Sequence, residues 1–300
     1  MGVIAHYVRN ASTALRMLLL LSLILGVGYP LAITAIAQIP GLKSSADGSL
    51  VTVDGKVVGS SRIGQSFIDS AGNRLPQYFQ SRPSAAGEGY DPTASGASNL
   101  GPESIVDTLA DPAVKGDTGK QSLLTQVCTR SLEIGRLDGV DGSRPFCSSD
   151  GTGSVLAVFF SGPGYSGKIT RVVSVNQGPG ARPFVASYRG VPVELARFGA
   201  DYSAGQLVPI HGSAPADPAV PADAVTSSGS GLDPDISPAY AKIQEALVAK
   251  TRGMSVSRVA ELVAEHTDGR ELGFMGEATV NVLELNLALD QAYPYHSGTP

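Results

Sequence analysis

Between Arg16 and Lys43 the chain carries no charged side chain, and the centre of this stretch, Met17 to Ala37, reads MLLLLSLILGVGYPLAITAIA. At about 1.5 Å per residue, a helix of this length matches the roughly 30 Å of hydrocarbon in a bilayer. A cleavable secretion signal is the rival reading, because Ala35-Ile36-Ala37 has the small-x-small form of a cleavage site. Signal cores run about 7–15 apolar residues, shorter than this stretch, so an uncleaved span over residues 17–39 is expected. Hydropathy averaged over the whole chain is close to neutral. That excludes a polytopic channel or pump, which needs many such spans.

Before the span the only full charges are Arg9 and Arg16, with no acid, so residues 1–16 form a leader expected in the cytoplasm and the large C-terminal part lies outside. Subtracting the leader's arginines from the net charge of -5 leaves -7 on the remainder. An acidic chain of this kind is a poor ligand for nucleic acid or for an anionic lipid surface. Within the span Ser22, Gly26, Gly28 and Ala32 would let another helix approach closely, and Pro30 would bend it. The alternative is an anchor that faces only lipid.

The two cysteines, Cys128 and Cys147, fall in the part expected outside, where an oxidising compartment permits a disulfide. Two unrelated thiols are the alternative. With no C-x-x-C pair, and with His6, His211, His266 and His296 scattered, no metal site is expected.

Ser49 to Val58, SLVTVDGKVV, reads as a β-hairpin with an Asp54-Gly55 turn. Residues 59–101 have turn chemistry and little periodicity. Near the C-terminus three helices are expected: one capped by Ser237-Pro238 and closed by Gly253, one from Ser255 that stops at Gly269, and one from Asn281 with Glu284 at its third position. Between them Ser154 to Phe160, Ile169 to Val175 and Pro183 to Val193 read as strands, followed by an Ala/Pro-rich linker, Ala214 to Ala222. The whole predicts an α+β extracytoplasmic domain with a single N-terminal transmembrane helix and a β-rich insert.

Gly162 to Gly167 fits G-x-G-x-x-G, but the β-branched KITRVVSV that follows is no pyrophosphate-binding helix, so a hairpin loop is expected. Asp117-Thr118-Gly119-Lys120 has the letters of the P-type ATPase phosphorylation sequence in another order and supports no phosphoenzyme. No G-x-S-x-G elbow and no Walker lysine occur, which argues against a secreted hydrolase. The loop Val225 to Pro234 concentrates Ser, Gly and Asp, and its backbone N–H groups could hold an anion, although a structural turn explains the same spacing.

Taken together, the chain resembles the C subunit of Kdp-type potassium-transporting ATPases. The matching strings are Val27-Gly28-Tyr29-Pro30-Leu31, Gly48-Ser49-Leu50, Ile63-Gly64-Gln65-Ser66-Phe67, Tyr78-Phe79, Arg82-Pro83-Ser84-Ala85-Ala86 and Ala94 to Leu100. They continue with the 225–234 loop, Leu272-Gly273-Phe274 and Val280 to Asp290. Coverage runs over roughly 15–101 and 220–290, and most of Pro102 to Pro221 departs from the pattern.

The resemblance implies a non-catalytic accessory subunit beside a potassium-selecting, channel-like subunit and a P-type ATPase subunit, with potassium ion as the transported substrate. Its helix would pack on the channel-like subunit, and its outer domain would border the ion entrance. The implied organisation is a leader (1–16), a span (17–39), a first half-domain (40–101), an insert (102–219), a second half-domain (220–290) and a tail (291–300). Residues expected at partner contacts are Gly26, Gly28, Pro30, Ala32, Arg82, Ser84, Ser98, Asn99, Glu284 and Asn286, the last two equally readable as capping or core groups. The chain would carry no cofactor of its own. The resemblance also suggests ATP contact by the complex through Ser227, Ser228, Gly229, Ser230, Gly231 and Asp233, which the outside location opposes. A stand-alone anchored binding module is the alternative function.

Overall fold

The computed structural model describes residues 2–295; the end of the tail, including His296, and Met1 lie outside the described residues. The chain forms two compact units that divide between Arg62 and Ile63. The first unit opens with α1 (Gly2–Leu23), a π-helical turn (Ile24–Gly28) and α2 (Tyr29–Ala37), which together make one continuous helix. The leader is therefore helical with the span, and the helix ends two residues before the expected boundary. Pro30 has no N–H to donate, and the Tyr29 N–H reaches back to Ile24 O, a bond one residue longer than the α-helical one. The π turn thus takes up the defect that proline introduces.

After α3 (Lys43–Ala46) come β1 (Leu50–Val53) and β2 (Lys56–Ser60), antiparallel. Their turn has φ of 50° at Asp54 and 75° at Gly55, the paired positive values that a two-residue hairpin of the expected kind requires. The hairpin groups with the helix rather than with the residues that follow it.

The second unit begins in extended and turn structure and contains no long element before α4 (Leu123–Asp138). β3 (Val155–Gly162) and β4 (Ser166–Ser174) form a hairpin around Gly164, so the glycine string is a turn, as expected. β5 (Ser187–Tyr188), β6 (Val191–Leu195) and β7 (Gln206–Pro209) complete a sheet in the order β5-β6-β4-β3-β7, in which only β4 and β6 are parallel. Because strand residues alternate faces, Leu156, Val158 and Val172 bury on one side, and Val155, Ala157 and Val175 on the other.

Then follow α5 (Ala222–Val225), β8 (Asp235–Ile236), α6 (Pro238–Arg252), α7 (Val256–Glu265), β9 (Thr267–Asp268), β10 (Thr279–Asn281) and α8 (Val282–Ala292). The short strands pair as β8-β10-β9. Ser237 Oγ accepts from Tyr240 N, Ser255 Oγ from Arg258 N, and Asn281 Oδ1 from Glu284 N, so all three expected caps form. Helix α7 stops at Glu265 rather than running to Gly269, because Thr267 and Asp268 pair with β10 instead, while His266 N–H bonds the last-turn carbonyls of Leu262 and Val263.

Residues 102–219 hold more than strands. Helix α4 packs Ile134 into the main core with Phe79, Tyr240, Val280 and Leu285. Val220, at the end of the supposed linker, is fully buried there, and Arg144 donates to its carbonyl. Cys128 on α4 and Cys147 form a disulfide with a Cα–Cα distance of 5.4 Å, which decides between the two readings of these cysteines.

At the end of α4 the Asp138 side chain is 0% exposed and pairs with Arg74 at 3.2 Å. Its Oδ1 is buried with no hydrogen-bond partner among the described residues, and burial raises its pKa above the ordinary value of 3.8, with Arg74 opposing. The folded carboxyl therefore holds its proton to higher pH than the unfolded one. The stability this contributes is full below 3.8 and is lost as pH rises through the raised value. Asp138→Asn removes that titration, so the stability of the variant relative to the parent should climb with pH over this interval in parallel denaturant titrations; a decline would refute the assignment.

Candidate functional site

The Ser/Gly loop connects α5 to β8, and its geometry is set by short local bonds. Thr226 Oγ1 donates to Ala222 O, Gly231 N to Ser228 Oγ at 3.1 Å, and Leu232 N to Ser230 Oγ at 3.1 Å. The two serine hydroxyls accept from backbone N–H groups within the loop, the self-capping habit of serine in turns. Gly231 adopts φ of 68°, and a Cβ there would stand 2.8 Å from Ala86 N and 2.9 Å from Gly96 O. A side chain at this position has no room.

The loop's outward carbonyls are taken by a segment more than a hundred residues earlier. Gly96 N and Ser95 Oγ donate to Ser230 O at 2.9 and 3.0 Å. Ser84 Oγ donates to Gly231 O at 2.6 Å and Gly64 N to Leu232 O at 2.9 Å. Arg82 Nη1 donates to Asp233 Oδ2 at 3.1 Å, and Tyr90 OH donates to Arg82 O at 2.7 Å. Burial pushes the Tyr90 phenol up to about 12, so it stays a donor. The strings 63–67, 82–86 and 94–100 thus meet the 225–234 loop in one hydrogen-bonded seam.

The expected contact residues therefore separate into two groups. Arg82 and Ser84 face inward and hold the seam. For Asn286 the structure shows the core placement of its alternatives: it is 1% exposed, accepts from Phe79 N at 2.9 Å and donates to Phe79 O at 2.9 Å. Glu284 is exposed at the start of α8, in the capping position. Ser98 and Asn99 are exposed, as are Gly26, Gly28, Pro30 and Ala32 on the helix. In the loop Gly231 is buried and Asp233 is paired with Arg82, which leaves Ser227 to Ser230 as its accessible tip.

Sequence reading missed Gln244. On α6 it accepts from Gln80 N at 2.7 Å and donates to Gln80 O and Tyr240 O, and Arg74 Nη2 donates to its Oε1. With Asn286 it grips the backbone of two successive residues, Phe79 and Gln80, from two helices. A lone glutamine on a helix carries no signal of this. Among the described residues no cluster of three His, Cys, Asp or Glu side chains is placed to hold a metal ion.

One long apolar helix ahead of a mixed α/β domain, whose separated motif strings meet in a hydrogen-bonded seam, defines a class of helix-borne α/β proteins. The chain belongs within it to the KdpC family: the model of that family, described as K+-transporting ATPase, c chain, matches residues 11–114 and 203–291. It is 38% identical over 291 residues to the potassium-transporting ATPase KdpC subunit of Kineococcus radiotolerans, an alignment covering 97% of this chain and 98% of that protein. It is 34% identical over 283 residues to the protein of the same name from Mycobacterium tuberculosis H37Rv, covering 94% and 98%. The Rhodospirillum rubrum protein of that name is 34% identical over 286 residues, covering 95% and 97%. The family match reaches further into the central stretch than the motifs did, and the alignments to these relatives span residues 115–202, which the family model leaves out.

Proposed function

We propose that this chain acts in potassium uptake as a non-catalytic accessory subunit of an ATP-driven complex, joining a channel-like subunit and a P-type ATPase subunit at the plasma membrane and bordering the ion entrance. The observation that carries the reading is the helix Gly2–Ala37, apolar and without a single buried residue, in a chain of the KdpC family. About 54 Å long at 1.5 Å per residue, it exceeds the hydrocarbon thickness, and its apolar surface calls for lipid or a partner helix. Arg9 and Arg16 favour a cytoplasmic N-terminus, and the Cys128–Cys147 disulfide favours an oxidising outer compartment for the domain.

Affinity purification of the tagged protein from a detergent extract should recover both larger subunits. Recovery of neither leaves the stand-alone binding module as the better reading. For orientation, a thiol placed at exposed Asp217 (Asp217→Cys) should react with a membrane-impermeant maleimide on intact cells. Labelling that requires lysis reverses the topology. Nucleotide contact at the Ser227–Ser230 tip is tested by photolabelling of sealed right-side-out vesicles with an ATP analogue, for which no labelling is expected.

A further inference from the structure

A cavity of about 390 Å³ lies between the segment around residues 66–90 and helix α4, with Ala224 and Tyr240 also in its wall. Arg74, Arg82 and Arg130 all line it, and each is partly buried. Their charges are not equally answered. Arg74 is paired with the buried Asp138. Arg82 is paired through Nη1 with Asp233, but its Nε is buried with no hydrogen-bond partner among the described residues. Among the described residues the acceptors of Arg130 are neutral: Nη1 donates to Val225 O at 2.9 Å and Nη2 to Gln126 Oε1 at 3.3 Å.

The carboxylates in the wall, Glu88 and Glu133, are both exposed, and neither forms an ion pair with these arginines. Burial pushes the Arg130 guanidinium below its ordinary value, with Glu133 opposing from one turn along the helix. A half-buried guanidinium without a contacting anion and a buried donor without an acceptor are both costly. The buried donor is closed to solvent and so to a ligand, but an oxyanion in the cavity would answer the Arg130 guanidinium, because guanidinium and carboxylate or phosphate groups match in charge and donor geometry. The remaining wall includes Phe67, Ile68, Ile134, Leu137 and Tyr240, which suits an apolar body behind the charged group.

We propose that this cavity binds a small organic oxyanion, a carboxylate or phosphate ester on a compact apolar body, with Arg130 as its anchor and Arg82 in the same wall. Arg82 comes from the part of the chain that matches the family, while Arg130 stands on α4 inside residues 115–202, outside that match. The central stretch thereby acquires a purpose: its helix completes a binding site that the rest of the domain only begins. The site does not depend on the partner subunits or on the transport role.

The test is calorimetric titration of the full-length protein in detergent, at constant ionic strength set with chloride, using phenyl phosphate, benzoate, inorganic phosphate and benzyl alcohol. Saturable binding is expected for phenyl phosphate or benzoate, at least tenfold tighter than for benzyl alcohol and tighter than for inorganic phosphate; which of the two wins fixes the head group. Arg130→Gln should weaken that binding at least tenfold. Glu133→Gln, which removes a like charge from the exposed rim without replacing the anchor, should tighten it at least twofold. Absence of saturable binding by both aromatic anions, or equal affinity for benzyl alcohol, overturns the proposal. Should Arg130→Gln fail to fold, an unchanged affinity in Glu133→Gln overturns it equally.

Discussion

Replacing Asn286 with leucine should lower the stability of the domain by about 2–6 kcal/mol. The estimate rests on two buried backbone groups, Phe79 N–H and C=O, each losing its Asn286 partner at about 1–3 kcal/mol. Leucine repeats the heavy-atom branching of asparagine and is no smaller, so the loss is not that of a cavity. Phe79 is 0% exposed and sits in the same core as Leu285 and Leu289, where water cannot replace the amide. Gln244→Leu should behave similarly, because it strips Gln80 N–H and one Arg74 bond at once. The chain has no tryptophan, so denaturant midpoints are best followed by far-UV circular dichroism of the full-length protein in detergent. An unfolding free energy within about 0.5 kcal/mol of the parent for both variants would remove the carboxamide grip from the account of this fold.

The second large effect belongs to the disulfide. Cys128 and Cys147 are 19 residues apart, and a closed loop of that size restricts the unfolded chain by about 3 kcal/mol in the entropy model. For a domain of this length that corresponds to a fall of about 6–12 °C in melting temperature on Cys128→Ala with Cys147→Ala. The loss should be visible locally as well: amide exchange should rise first along α4, the helix the bond secures to the loop after it. Equal melting temperatures in the oxidised parent and the double variant would mean that packing alone holds α4.

Helix α4 also shows where sequence reading stops. Its buried positions are Thr125, Cys128, Ser131, Ile134, Gly135 and Asp138, a stripe at helical spacing built almost without large apolar side chains. Hydrophobic periodicity cannot find such a helix, because what it buries is satisfied polarity. Thr125 Oγ1 donates to Asp107 Oδ2 and accepts from Gly153 N, and Ser131 Oγ donates to Gly142 O. Gly135 lies so close to Gly142 that an added Cβ would stand 2.5 Å away. The terminal signals were nonetheless present, in Ser122, whose Oγ accepts from Thr125 N, and in Gly139, left-handed at φ 73°. By contrast α6, α7 and α8 were legible from caps and stripes together, and the Asp54-Gly55 hairpin from its turn alone.

The candidate site divides along the same line. The sequence by itself determined the single apolar helix, the three C-terminal helices, the main strands and the family, because these rest on local periodicity, capping and contiguous strings. Tertiary structure alone decided that the separated strings form one seam, that Asn286 and Gln244 hold the chain at Phe79 and Gln80, and that the central stretch packs into the core. It also decided that Arg82 and Arg130 share a cavity. Each of these depends on which distant backbone groups are left without water on folding, and a requirement of that kind leaves no periodic trace in the residues that meet it.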